Sequence, residues 1–310
     1  MITYHPVARM FLGITCSLAV AAAGAETLTI ATYNVENYGL ADRLTEAGFR
    51  PEYPKPETQK TALRRVIRAL DADVLVLQEV GSQPFLDELC RDLRAEGCDY
   101  PHSVLALAAD QDRHVALLSR RPLSGVATLS DLDFPYFGGR EKVKRGLLQA
   151  AVATEAGELV IFAVHLKSRL TERPDDPESA TRRSGEARAV RDAILKRFPE
   201  PASARFVLLG DCNDTRASRA VEHLQRRGEK EVTFLVPAAD SRGETWTYAY
   251  KRQDTYSKVD HIFVSPLLRP LVINGTARIH DGDGVALASD HRPLLVKLEL
   301  HADRGAAGRK

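Results

Sequence analysis

This 310-residue sequence predicts an α/β fold: two mixed β-sheets packed face to face, with helices covering the outside. Three observations carry that reading. Short apolar runs of strand length recur along the whole chain, amphipathic helical segments occur in both halves, and several strands follow one another directly without a helix between them.

Taken in order, LTIATYNV (28–35) is β-rich and alternating, and reads as the first strand. TQKTALRRVIRAL (58–70) places Ala62, Leu63, Val66, Ile67 and Leu70 on one helical face. Asp71 and Asp73 end that helix before VLVLQEV (74–80), an apolar strand closing on Gln78 and Glu79. QPFLDELCRDLRAEG (83–97) is a second amphipathic helix, and HVALLSR (114–120) another strand. LLQAAVAT and LVIFAVHL, joined by EAGE, form a hairpin. The Pro- and Asp-rich stretch from Ser168 is a loop that feeds a long helix with Ala187, Val190, Ile194 and Leu195 on its apolar side. FVLLGD (206–211), KVDHIFVS (258–265) and PLLVKLEL (293–300) are strands, and the tail 303–310 reads as frayed. No low-complexity linker or repeat divides 26–302, so one domain is expected.

The first 25 residues are read apart. Arg9 flanks an apolar run that ends in Ala23-Gly24-Ala25, the pattern of a secretory signal peptide cleaved after Ala25. The run is too short for a membrane span, which needs about 20 apolar residues. Export to the periplasm or the medium is therefore expected, without a stable membrane anchor. The chain carries 43 Lys and Arg against 42 Asp and Glu. Loss of the leader removes Arg9 and no acid, so the mature protein is formally neutral and lacks the bulk basic excess that marks many nucleic-acid binders. Cys90 and Cys98 are spaced to close a short disulfide loop in an oxidising compartment, while Cys212 is expected buried and unpaired.

Polar groups of one chemical kind stand at the strand ends: Asn34, Glu79, His165, Asp211 with Asn213, and Asp260. ASDHRP adds Asp290 and His291 just before the last strand. Oxygen donors with imidazoles, and no cysteine pair or H-E-x-x-H helix, suit Mg²⁺, Mn²⁺ or Ca²⁺ and not zinc. Each fragment alone is ordinary turn chemistry. Rigid strand ends, however, can aim their side chains at one pocket.

The ordered series TYNVEN, VLQEV, VHLKS, GDCND, VDHIFVS and SDHRP resembles the endonuclease/exonuclease/phosphatase superfamily over nearly all of 28–300. The resemblance implies a DNase I-like four-layered α/β/β/α sandwich and a metal-dependent phosphoric ester hydrolase. It implies Glu79 as the principal Mg²⁺ carboxylate with Asn34 beside it, and Asp290 near the metal. His165 and His291 would face the phosphate, Asp260 would pair with His291, and Asp211 with Asn213 would orient the attacking water. Glu36 is a candidate second carboxylate for the ion, and Arg113 a candidate phosphate contact, each against a plain surface reading.

For the substrate, three readings stand. The TYNVEN opening is similar to bacterial extracellular nuclease-like members, and Arg169, Arg173, Arg182, Arg183 and Arg188 are candidates to track a phosphate backbone, although acids interleave with them. A phosphatase or phospholipase acting on an inositol phosphate or sphingomyelin is the alternative. No exposed aromatic hairpin or basic amphipathic helix of the kind a lipid enzyme carries stands out in the sequence; FPYFGG (134–139) is read as an aromatic-rich loop. A binding protein that has lost catalysis is the third, separable by chelator titration.

Overall fold

The computed structural model describes residue 1 and residues 25–301 apart from 46 and 172; residues 2–24 of the expected leader and the tail fall outside the described residues. The first sheet has seven strands in the order Ala238–Ala239, Ala277–Ile279, Leu294–Leu300, Glu26–Tyr38, Val74–Val80, His114–Ser119, His102–Leu105. The second has six: Phe234–Leu235, Asp260–Val264, Phe206–Asp211, Gly157–His165, Leu147–Thr154, Leu123–Leu129. Both are mixed. Glu26–Tyr38 runs parallel to Val74–Val80 and antiparallel to Leu294–Leu300. Gly157–His165 runs parallel to Phe206–Asp211 and antiparallel to Leu147–Thr154. A parallel pair needs a crossover. Helix α1 (Glu57–Leu70) lies in the first connection and α3 (Ala180–Arg197) in the second.

The side-chain parity of the strands builds three apolar layers. Leu28, Ile30, Val74 and Val76 of the first sheet meet Leu159, Ile161, Val207 and Leu209 of the second in the central layer. The alternate positions Ala31, Tyr33, Leu75 and Leu77 face Leu63, Val66 and Ile67 of α1 and Leu86 and Leu89 of α2 (Gln83–Ala95). On the far side, Phe162, Phe206 and Leu208 pack on Ala187, Val190 and Ile194 of α3 and Leu224 of α4 (Arg219–Gln225). Both faces of each central strand are covered, so the strands read as unbroken apolar runs, not as alternating ones. Each fully buried Leu or Ile contributes about 1.5–3 kcal/mol relative to exposure. The layer order is α/β/β/α, as the resemblance implies.

Several elements lie outside the sequence reading. The edge strands are short, and four hairpins decorate the sheets: Leu40–Thr45 with Gly48–Pro54, Asp133–Tyr136 with Gly139–Lys142, Arg226–Arg227 with Lys230–Glu231, and Tyr248–Tyr250 with Thr255–Ser257. FPYFGG is therefore a hairpin and not a loop, with Phe134 and Tyr136 buried against α3 and Phe137 exposed at its tip. Cys90, Cys98 and Cys212 are free thiols, so the short loop is not closed by a disulfide, and Cys212 is wholly buried.

Candidate active site

One end of the sandwich collects the polar strand ends. In the second sheet His165 stands opposite Asp211, and Asp211 opposite Asp260. Two parallel strands finish there and an antiparallel one begins, so three side chains from distant parts of the sequence share one row. The first sheet delivers Asn34 and Glu79 to the same place. The Asn34 Nδ2 donates to Asp211 Oδ2 at 3.0 Å, a bond that crosses from one sheet to the other, and lies 3.4 Å from Glu79 Oε1.

Glu79 reaches the crater because its strand bulges. Gln78 pairs with Val115 and Val80 with His114, so Glu79 is the extra residue, and its backbone sits in the left-handed region at φ 65°. Such a bulge re-aims a side chain that regular pleating would send elsewhere. Glu36 (φ 49°), Asn37 (φ 52°) and Asn213 (φ 51°) share this conformation. Left-handed backbone on non-glycine residues costs on the order of 1–3 kcal/mol each and concentrates at functional sites. The Asn37 N–H donates to Glu79 Oε2 at 3.0 Å, and Arg113 Nε donates to the Asn37 amide oxygen at 2.9 Å.

His291 is buried, with Nδ1 2.8 Å from Asp260 Oδ2 and Nε2 3.9 Å from Asp211 Oδ2. Burial opposes its protonation, but Asp260, followed by Asp211 and Asp290, outweighs that and holds the imidazole well above its ordinary range. His291 is thus an imidazolium at neutral pH. Asp211 is driven the other way: burial first, then Asp260, push its carboxyl up to about 7. Its oxygens accept from Asn213 N (2.7 Å), Asn213 Nδ2 (3.2 Å) and Asn34.

His165 Nε2 lies 3.6 Å from Asp211 Oδ2 and 3.9 Å from Glu79 Oε1, while its Nδ1 is buried without a hydrogen-bond partner. Burial, reinforced by Arg145 and His291, depresses its pKa well below the usual value, so this imidazole is neutral. Arg145 is buried and paired with Asp110 at 2.8 Å. Buried Glu186 accepts from the Lys144 and Lys167 N–H groups, fastening the segments on either side of that cation.

Asp290 joins the group from the last motif, pushed up to about 6 by burial and then by Glu36 and Glu79, with His291 opposing. Glu36 is half exposed and lies 3.7 Å from the buried Lys55 ammonium. Every candidate catalytic and metal-ligating residue from the strand-end motifs therefore falls in or around one site, with Arg113 joined to it through Asn37. Asn37 and Tyr248 were not among them. Asn37 lies within the NVEN motif, and Tyr248 in the aromatic run WTYAY, whose ring packs 4.7 Å from that of His291.

The model of the endonuclease/exonuclease/phosphatase family matches residues 31–291. The chain belongs to that family. A family member from Bacteroides vulgatus is similar in structure at 20% identity, with 89% of this chain and 100% of that one covered and a TM-score of 0.57. Sphingomyelinase C from Streptomyces griseocarneus gives 17% identity, 88% and 99% coverage and a TM-score of 0.58. A 3'-5' exonuclease from Neisseria meningitidis gives 16%, 87% and 99%, and 0.56. At these identities the likeness is one of fold. No curated protein sequence matches the chain.

As a member of this family the chain is a hydrolase of phosphoric esters, and such enzymes typically depend on a divalent metal. The donor set fits one. Three carboxylates, Glu36, Glu79 and Asp290, share one electrostatic field beside the Asn34 amide, and Lys55 is the Lys or Arg within 4 Å of one of them among the described residues. Hard oxygen donors whose charges repel are what a hard dication takes. Asp211, Asp260 and His291 also bring ligand atoms within 4.8 Å of one another. Within that trio the 2.8 Å contact between Asp260 and His291 forms an ion pair beside Asp211.

The arginine-rich span is mostly committed internally. Arg183 is buried on Asp214 at 2.9 Å, Arg182 pairs with Glu141, Arg173 with Asp175, and Arg169 lies near Glu178 and Asp214. Only Arg188 in this set is both exposed and without an acidic partner among the described residues.

Proposed function

We propose that this chain is an exported nuclease that hydrolyses phosphodiester bonds by in-line attack of water. Asp211 carries the reading: its carboxyl, raised to about 7 and held by Asn213 and Asn34, is suited to orient a water and take its proton near neutral pH. As the water oxygen bonds to phosphorus and the opposite ester bond breaks, charge grows on the non-bridging oxygens. The His291 imidazolium, fixed by Asp260, and the neutral His165 Nε2 donate to those oxygens. Glu79, Asn34, Asp290 and Glu36 would hold Mg²⁺, with Mn²⁺ or Ca²⁺ as alternatives. The ion would neutralise phosphoryl charge as it develops.

Support for a polyanionic substrate comes from three cations at the rim. Arg113, Arg216 and Lys258 have no carboxylate partner among the described residues. Lys258 is pulled down to about 8, by burial first and then by Arg216, with Asp260 opposing, so two positive charges stand close together there. Flanking phosphates of a nucleic acid would relieve that crowding.

A second reading, a phosphatase or phospholipase on the same site, is favoured by one surface feature. The hairpin Leu40–Thr45/Gly48–Pro54 exposes Leu40, Leu44, Phe49 and Tyr53, with Leu44 opposite Phe49. This corrects the expectation that no such hairpin is present; its polar interruptions Asp42, Arg43 and Arg50 hide it in the sequence. Arg43 ties the hairpin to the site through the Asn37 carbonyl.

The test offers the protein plasmid DNA, RNA, sphingomyelin vesicles and inositol phosphates with Mg²⁺, Mn²⁺, Ca²⁺ or EDTA. Nicking of plasmid that EDTA abolishes, with no lipid turnover, is expected; lipid turnover without nicking retires the nuclease. A stable, fully active Asp211→Ala protein would contradict the site assignment.

A further inference from the structure

The hairpin Tyr248–Tyr250/Thr255–Ser257 builds aromatic surface directly onto the phosphate-facing residues. The hairpin is tied to the site where its first strand begins: Tyr248 bridges to His291, and the neighbouring Thr247 Oγ accepts from the Asp260 N–H at 3.1 Å. The Tyr248 ring lies 4.7 Å from the His291 ring, and the Tyr250 ring follows at 6.5 Å, tilted only 24° from it. The two tyrosines are two positions apart on one strand, so they share a face. Both are only partly buried, and neither phenol finds a hydrogen-bond partner among the described residues. Behind them Trp246 is held by the Arg292 guanidinium over its ring, and Arg292 is itself fixed by Asp240 at 2.8 Å. A column of rings thus leads from His291 outward on a rigid mount. Packing alone would have buried these rings and paired their hydroxyls.

We propose that Tyr250, backed by Tyr248, is a stacking platform for the nucleobase of the nucleotide adjoining the scissile phosphate. A π-face accepts any base, so the platform confers affinity for nucleic acid with little sequence preference. The inference rests on the nuclease reading.

The test measures KM and kcat on two single-stranded DNA oligonucleotides, one ordinary and one carrying tetrahydrofuran abasic residues on both sides of the cleaved bond. Wild-type protein, Tyr250→Ala and Tyr250→Phe are compared, with circular dichroism to confirm folding. Tyr250→Ala should raise KM on the ordinary oligonucleotide by roughly 5- to 150-fold with kcat much less affected, and Tyr250→Phe should restore it. The penalty should shrink on the abasic oligonucleotide. An equal effect of Tyr250→Ala on both oligonucleotides, or none on either, overturns the platform while leaving the nuclease standing. Wild-type protein that cleaves neither overturns both, and sphingomyelin turnover by the same preparation would then identify the other class.

Discussion

Asp260 illustrates how a single carboxylate sets the state of its neighbours. It holds His291 protonated through a 2.8 Å bond and, as the second cause after burial, raises Asp211. Asp260→Asn removes that charge while keeping the shape. Turnover should fall about 10²- to 10³-fold, the cost of losing one fixed electrostatic contact to the transition state, with an unchanged circular dichroism spectrum; kinetics within a few-fold of wild type would refute the role. Asp240 acts on stability instead. Burial works against its ionisation, but Arg292 and the N–H groups of Arg242 and Glu244 outweigh it and depress its pKa. A depressed carboxylate stabilises the fold above its unfolded pKa, about 3.9, and that contribution is lost as pH falls below it. The Tm gap between wild type and Asp240→Asn should therefore be widest near neutrality and close below about pH 4. A gap independent of pH would sink the idea.

Among the elements, Phe206–Asp211 is the one whose end the chemistry depends on most. Gly210 has φ 143°, and a Cβ there would lie 2.0 Å from the Val164 carbonyl oxygen on the parallel strand. Gly210→Ala must push the two strands apart beneath Asp211 and His165. It should destabilise by about 1–3 kcal/mol in urea titration and lower activity further than that loss explains; a variant of wild-type stability and activity would show that the strands can yield. The central strands were legible in the sequence because burial on two faces demands apolar residues at every position. The motif residues were legible because they interrupt those runs abruptly. The hairpins were not: their strands are short and half exposed, so neither period dominates, and Phe134 and Tyr136 take their burial from α3, far along the chain. Nor does sequence reveal that Arg183 is held by Asp214, since only the fold brings them together.

At the level of the whole molecule, the crater belongs to neither sheet alone. Asn34 and Glu79 come from one, while His165, Asp211 and Asp260 come from the other, and the central apolar layer sets their spacing. That layer is non-directional, so it tolerates small slips that a 3.0 Å hydrogen bond cannot. In a urea series, hydrolysis should decline at concentrations where the far-ultraviolet ellipticity is still native; coincident curves would show instead that the sandwich moves as one block. The contact between Asn34 and Asp211 thus works as a caliper across the seam. Any shear between the two halves misaligns the machinery before it melts a single strand, which ties the enzyme's working range to the stiffness of greasy side chains that never meet the substrate.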